Sequence, residues 1–156
     1  MAARKAMKGY KVTHALPTAE LKRVRKLCLG LPETHEKIAW GAPTFRIRGG
    51  KIFVMFLNNH HNDGRRAIWC PAPPGAQKNL VATDPKHFFV PPYVGPNGWL
   101  GIRLDTGLPW EVVVELVREG YRLVAPERLA ELLDECEAPV KKGATKKTPA
   151  RKRRRA

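Results

Sequence analysis

The densest run of one chemistry lies at the C-terminal end. Residues 139–156 carry Lys141, Lys142, Lys146, Lys147, Arg151, Lys152, Arg153, Arg154 and Arg155, nine cations in 18 residues with no acid. Cations at this density neutralise phosphates and release their counterions. With most of them engaged, log K falls against log salt with a slope of roughly −6 to −8. Such contacts carry almost no sequence preference. A solubilising tail has the same composition, but the charge layout favours a polyanion. Residues 1–11 add Arg4, Lys5, Lys8 and Lys11, again without an acid. Between the two ends, 16 Lys/Arg face 14 Asp/Glu, so only +2 of the formal net charge of +15 belongs to residues 12–138.

A second set of cations surrounds two turns. Arg46, Arg48 and Lys51 flank Gly49-Gly50, a two-residue hairpin signal. Arg65 and Arg66 follow the polar loop Asn58–Gly64. Two cationic tips side by side would straddle a phosphate backbone. The plainer reading is a sheet edge protected by charge. A third candidate is a flat platform for a base or another planar ligand, made of Trp69, Trp99 and Arg103. Strand alternation puts Trp99, Gly101 and Arg103 on one face, with a gap at Gly101. Tyr93, aimed by Pro91-Pro92, and Trp110 are read as packing residues.

Other chemistry is poorly supplied. His60-His61 with Asp63 suggests a metal, but adjacent rings on an extended segment point apart and no second cluster follows. No metal and no cofactor are expected. The chain contains no serine, no phosphate-cradling loop ending in Gly-Lys and no dinucleotide fingerprint. Cys28 sits on a helical apolar stripe and Cys70 in a strand, so both read as core. Glu33, His35 and Glu36 form an ordinary surface cluster. No catalytic constellation emerges, and the chain is read as a binding protein rather than an enzyme. Three widely spaced cysteines, Cys28, Cys70 and Cys136, suit a reducing compartment. No segment reads as a signal peptide or a membrane span, so the cytoplasm is expected, with no membrane partner.

The elements that must position these residues follow from periodicity. Thr18 caps a helix whose stripe is Leu21, Val24, Leu27, Cys28 and Leu31, ended by Gly30 and Pro32. Lys37–Trp40, Thr44–Arg48, Lys51–Leu57 and Ala67–Cys70 read as strands, the first two joined by a turn at Gly41-Ala42-Pro43. Lys51–Leu57 is apolar on both faces, which predicts a strand covered on each side. A short helix over Ala76–Ala82 follows, then a helical turn carrying Phe88 and Phe89. Trp99–Leu104 makes a fifth strand, with Leu100, Ile102 and Leu104 on its other face. Pro109 opens a helix with Trp110, Val113, Val114, Val117, Tyr121 and Val124 on its buried stripe. Pro126 opens a last one with Leu129, Leu132, Leu133 and Cys136 inward. The sum is a two-layer α+β domain, an antiparallel sheet of about five strands with helices on one face. Its boundaries are 16–138, with a disordered basic arm expected at 1–15 and a disordered Lys/Arg-rich tail at 139–156, the tail too poor in apolar residues to fold alone.

Several stretches together resemble the MmcQ/YjbR family. They are CLGLPETHEKIAWGAPTF at Cys28–Phe45, Pro74-Gly75 with Gln77, the corner FFVPPYVG…GWLGIRLD, and YRLVAPERLAELL at Tyr121–Leu133. The resemblance covers roughly residues 18–135 and implies a compact α+β fold of double-wing type that binds DNA. It brings no catalytic residues. The tail is similar in style to those of histone-like and nucleoid-associated proteins.

The expectation is a cytoplasmic, nucleoid-associated DNA-binding protein, monomeric and largely blind to sequence, gripping phosphates through its basic ends and hairpin wings. A polycationic tail does not tell DNA from RNA. The alternative is a small-ligand or protein-binding module of the same fold, whose tails only localise it to nucleic acid.

Overall fold

A computed structural model describes residues 18–60 and 63–143, the side chains of 136–143 excepted. Helix α1 spans Ala19–Leu29, and the Thr18 hydroxyl accepts the Leu21 N–H at 3.1 Å. Its stripe buries Leu21, Val24 and Cys28. Four strands follow: β1 (Thr34–Ala39), β2 (Ala42–Ile47), β3 (Lys51–Asn58) and β4 (Arg66–Cys70). Then come α2 (Ala76–Thr83), β5 (Phe88–Phe89), a 3-10 turn at Gly95–Asn97, β6 (Leu100–Arg103), α3 (Trp110–Val124) and α4 (Glu127–Gly143). The strands form one antiparallel sheet in the order β1-β2-β3-β4-β6-β5.

The α+β architecture is as expected, with differences that have local causes. The sheet has six strands, because Phe88 and Phe89 pair with Ile102 and Gly101 instead of closing a helical turn. β1 begins at Thr34 and stops before Trp40. The turn is Trp40-Gly41, both residues left-handed with φ of 54° and 77°, which lets Ala39 pair with Ala42 and carries Pro43 into β2. Left-handed backbone at both central positions suits the twist of a two-residue hairpin. The next loop has three residues, 48–50, because Ile47 pairs with Lys51. On α4, Leu129 and Leu133 are buried four residues apart while Leu132 turns outward. The Cys136 side chain lies outside the described residues. α4 also runs to Gly143, so it takes up the first five residues assigned to the tail.

The sheet's two faces differ. One packs against the helices: Phe45, Ile47, Phe53, Phe56, Ile68, Leu100 and Ile102 meet Leu21, Val24, Val113, Val117, Tyr121, Leu129 and Leu133. Full burial of such side chains is worth about 1.5–3 kcal/mol each. A register shift beside Phe45/Arg46 lets the neighbours Phe53 and Val54 both enter this core. Tyr121 donates to the Pro32 carbonyl at 2.6 Å, and burial pushes its phenol up to about 12. Gly120 lets α3 close on the end of β4, since a Cβ there would lie 2.9 Å from the Pro71 carbonyl oxygen.

The opposite face carries a smaller cluster: Ala42, Met55, Leu57, Ala67, Trp69 and Phe89, with Ile52, Val94 and Trp99 against it. Among the described residues no helix packs there. Loops cover part of it instead, one following β3 and one preceding β6.

Candidate nucleic-acid interface

The two cationic turns lie at opposite ends of the sheet. One precedes β3 and the other follows it, and β3 is eight residues long. At about 3.3 Å per residue the tips stand roughly 26 Å apart. They do not form the side-by-side wings expected from sequence. The reason is topological: successive turns of an antiparallel meander alternate between the two ends.

Each expected wing residue has a definite setting. Arg46 donates to neutral oxygens, Thr44 Oγ1 at 3.0 Å and the Gly50 carbonyl at 3.5 Å. Arg48 is exposed and reaches Glu33 at 3.5 Å. Glu33 also takes Arg128 at 3.0 Å, and the Arg128 hydrogen bond, with lesser help from Arg48, holds its carboxyl below the usual range. Lys51 is exposed at the start of β3. The Arg65 guanidinium lies 4.1 Å over the Phe89 ring. Arg66 is neutralised by Glu20 at 3.3 Å, while its backbone N–H donates to Asp105.

The proposed platform does not form. Trp69 is buried, and Trp99 packs half-buried against the helix-free cluster. The gap at Gly101 is filled by Phe89, whose ring atoms would lie 2.5 Å from any Cβ placed there. Arg103 makes a two-point pair with Asp105, at 3.0 and 3.2 Å. Burial pushes the Asp105 carboxyl up, but the Arg103 hydrogen bond and the Arg66 N–H outweigh it and leave the pKa lowered.

What the fold gathers instead is a cationic sheet face. Lys37 lies across from Thr44, Arg46 bonds Thr44, Arg103 lies across from Ala67, and Arg65 covers Phe89. Thr44, Ala67 and Phe89 all belong to the helix-free side, so these four cations share it. The acids concentrate elsewhere: from residue 110 to 135, α3 and α4 carry seven acids against three arginines.

Two aromatics missed as surface residues stand out. Trp40 is 77% exposed at the tip of the β1–β2 turn, and Ile38 beside it is 51% exposed. Tyr93 is 71% exposed with φ of 67°, contrary to its expected packing role. Its ring caps a stack rising from the helix-free face: buried Trp69, then His60 at 5.1 Å, then Tyr93 at 6.1 Å from His60, each contact edge-to-face. Gln77 on α2 holds the loop in place, its amide donating to the carbonyls of Gly95 and Trp99. Trp110 does pack, with the Arg23 guanidinium 4.1 Å over its ring. The sequence signal for Trp40 was the Trp-Gly pair ahead of Ala-Pro.

The remaining candidates are quickly placed. His60 belongs to the stack, and His61 lies outside the described residues. Among the described residues no three His, Cys, Asp or Glu side chains gather as a metal site would require. Cys28 and Cys70 are buried, and burial pushes both thiols up, Cys70 to about 12. They are protonated at neutral pH, unlike an activated nucleophile. No described helix is long and apolar enough to cross a membrane. Lys141 and Lys142 fall on α4, where only backbone is described. Lys146, Lys147, Arg151, Lys152, Arg153, Arg154 and Arg155 lie outside the described residues, as does the 1–15 arm.

Comparison with known proteins agrees with this architecture. The crystal structure of Deinococcus radiodurans protein DR2400, which carries the domain DUF419, is similar to this fold with a TM-score of 0.60. That match covers 73% of this chain and 87% of the other at 18% identity, a likeness of fold alone. No curated protein matches the chain. The family model YjbR matches residues 29–123, from the end of α1 to the last turn of α3. That match takes in the whole sheet and more than half of the sequence, and the chain belongs to the YjbR family.

Proposed function

We propose that this protein binds DNA without marked sequence preference, its two basic ends supplying most of the affinity and the helix-free sheet face supplying the folded contact. The observation that carries the reading is the placement of charge. Thirteen of the fifteen net positive charges sit in residues 1–11 and 139–156, which leaves only +2 to residues 12–138. Phosphate neutralisation by clustered cations needs no preformed site. Lys37, Arg46 and Arg65 on one face, with Arg103 paired to Asp105 beside them, support a footprint there in place of paired wings.

The test is a salt titration of duplex DNA binding by the full chain and by a chain ending at Gly143. The deletion removes seven cations. The full chain is expected to show a steep slope, and the shortened one a slope shallower by up to about 6. Equal slopes would overturn the tail-driven mechanism.

A further inference from the structure

We infer that the helix-free face, with the turn at Trp40, is a stacking surface for unpaired bases, so that the preferred form of the ligand is single-stranded DNA. This rests on the DNA-binding reading and sharpens it.

Two large aromatic side chains stay mostly in solvent. Trp40 and Tyr93 are the most exposed large hydrophobics of the described residues, at 77% and 71%. Both have left-handed backbone, at φ of 54° and 67°. A bulky residue is disfavoured there, because its Cβ crowds the chain. Asn or Gly would serve either position at lower local cost. Trp and Tyr therefore stand where neither burial nor backbone preference selects them, and that is where functional strain is to be sought.

Their surroundings match a nucleic-acid strand better than a protein. Tyr93 tops the Trp69–His60 stack, so its ring is braced from below with much of its surface open. Trp40 is exposed at the β1–β2 turn, toward the β1 edge of the sheet. β3 lies between that hairpin and the β4 strand under Tyr93, and Lys37 on β1 and Arg46 on β2 sit on the helix-free face. Aromatics for bases combined with cations for phosphates make a single-strand platform. Bases in a duplex are stacked on each other and cannot offer a face to both rings. The cationic surface also disfavours a basic partner and a second copy of this face.

The experiment uses the full chain with oligothymidylate, an oligouridylate and a duplex, each titrated across salt. Ion release sets the slope, whereas stacking sets the affinity that remains when the line is extrapolated to high salt. Trp40→Ala and Tyr93→Ala are each expected to lower that residual affinity for oligothymidylate by about 5- to 100-fold. The slope and the duplex affinity should stay unchanged. Trp40→Phe and Tyr93→Phe, which keep an aromatic face, should retain most of the binding. Both sites are exposed, so the variants should melt with the parent, and circular dichroism checks this. Unchanged residual affinity in the Ala variants overturns the inference while leaving tail-driven binding intact. So does equal loss on duplex, or tighter binding of oligouridylate than of oligothymidylate. Absence of any salt-dependent DNA binding would instead remove the underlying functional reading.

Discussion

The two faces of the sheet are built from the same strands and reach opposite results. On the helix side, side chains from five strands and three helices interlock, and α3 and α4 carry an excess of acids. On the other side, a handful of apolar residues is roofed by loops, cations gather, and aromatic rings remain in solvent. The helix side has the features of a stability layer, and the helix-free side has those of a contact layer. The helix-free face leaves strand side chains open, and beside it Trp40 and Tyr93 hold left-handed backbone.

The largest expected effect tests the stability layer. Phe56→Ala removes a fully buried ring from the main core and should cost about 3–5 kcal/mol in chemical denaturation. A loss under about 1 kcal/mol would deny this core its role. Two glycines then compare the faces directly. Gly120→Ala places a methyl 2.9 Å from a backbone oxygen that cannot rotate away, whereas Gly101→Ala meets the Phe89 ring, a side chain that can. The first should cost about 2–3 kcal/mol and the second about 1–2 kcal/mol, read as midpoint shifts. The reverse order would mean that the loop-roofed face is the stiffer one.

A smaller effect sharpens the contrast. Trp40→Asn should leave stability unchanged or raise it by up to about 1 kcal/mol, because Asn tolerates left-handed backbone and little burial is lost. The smallest concerns pH. Asp105 has a lowered pKa in the folded protein, so its pair with Arg103 contributes stability above the ordinary carboxylate range. That contribution is lost as pH falls through the folded value, which lies below the ordinary carboxylate range. Asp105→Asn should remove this part of the acid dependence while leaving the alkaline limb of a pH–stability curve unchanged.

The helix side was largely legible in the sequence. Leu21, Val24 and Cys28 and then Val113, Val117 and Tyr121 recur at helical spacing, and burial rewards that period directly. The strands of the meander were legible for the same reason. The contact side was less so. His60 folds back onto Trp69, and Phe89 fills the space above Gly101, through long-range contacts that no local pattern encodes. Phe88–Phe89 reads as a helical turn in sequence because two residues are too few to show the strand period they have in the sheet. The separation of the cationic turns could have been read by counting strands, since it follows from connectivity alone. Tyr93 reads as a packing residue because large aromatics beside Pro and Gly usually fill corners. Its exposure depends on the loop held by Gln77.

That tether has a chemical consequence of its own. The Gln77 amide points its nitrogen at two carbonyl oxygens, those of Gly95 and Trp99. Deamidation would exchange the donor group for a carboxylate and set like partial charges against each other at both points. One hydrolysed bond, with no change of side-chain length, would then loosen the loop that carries Tyr93.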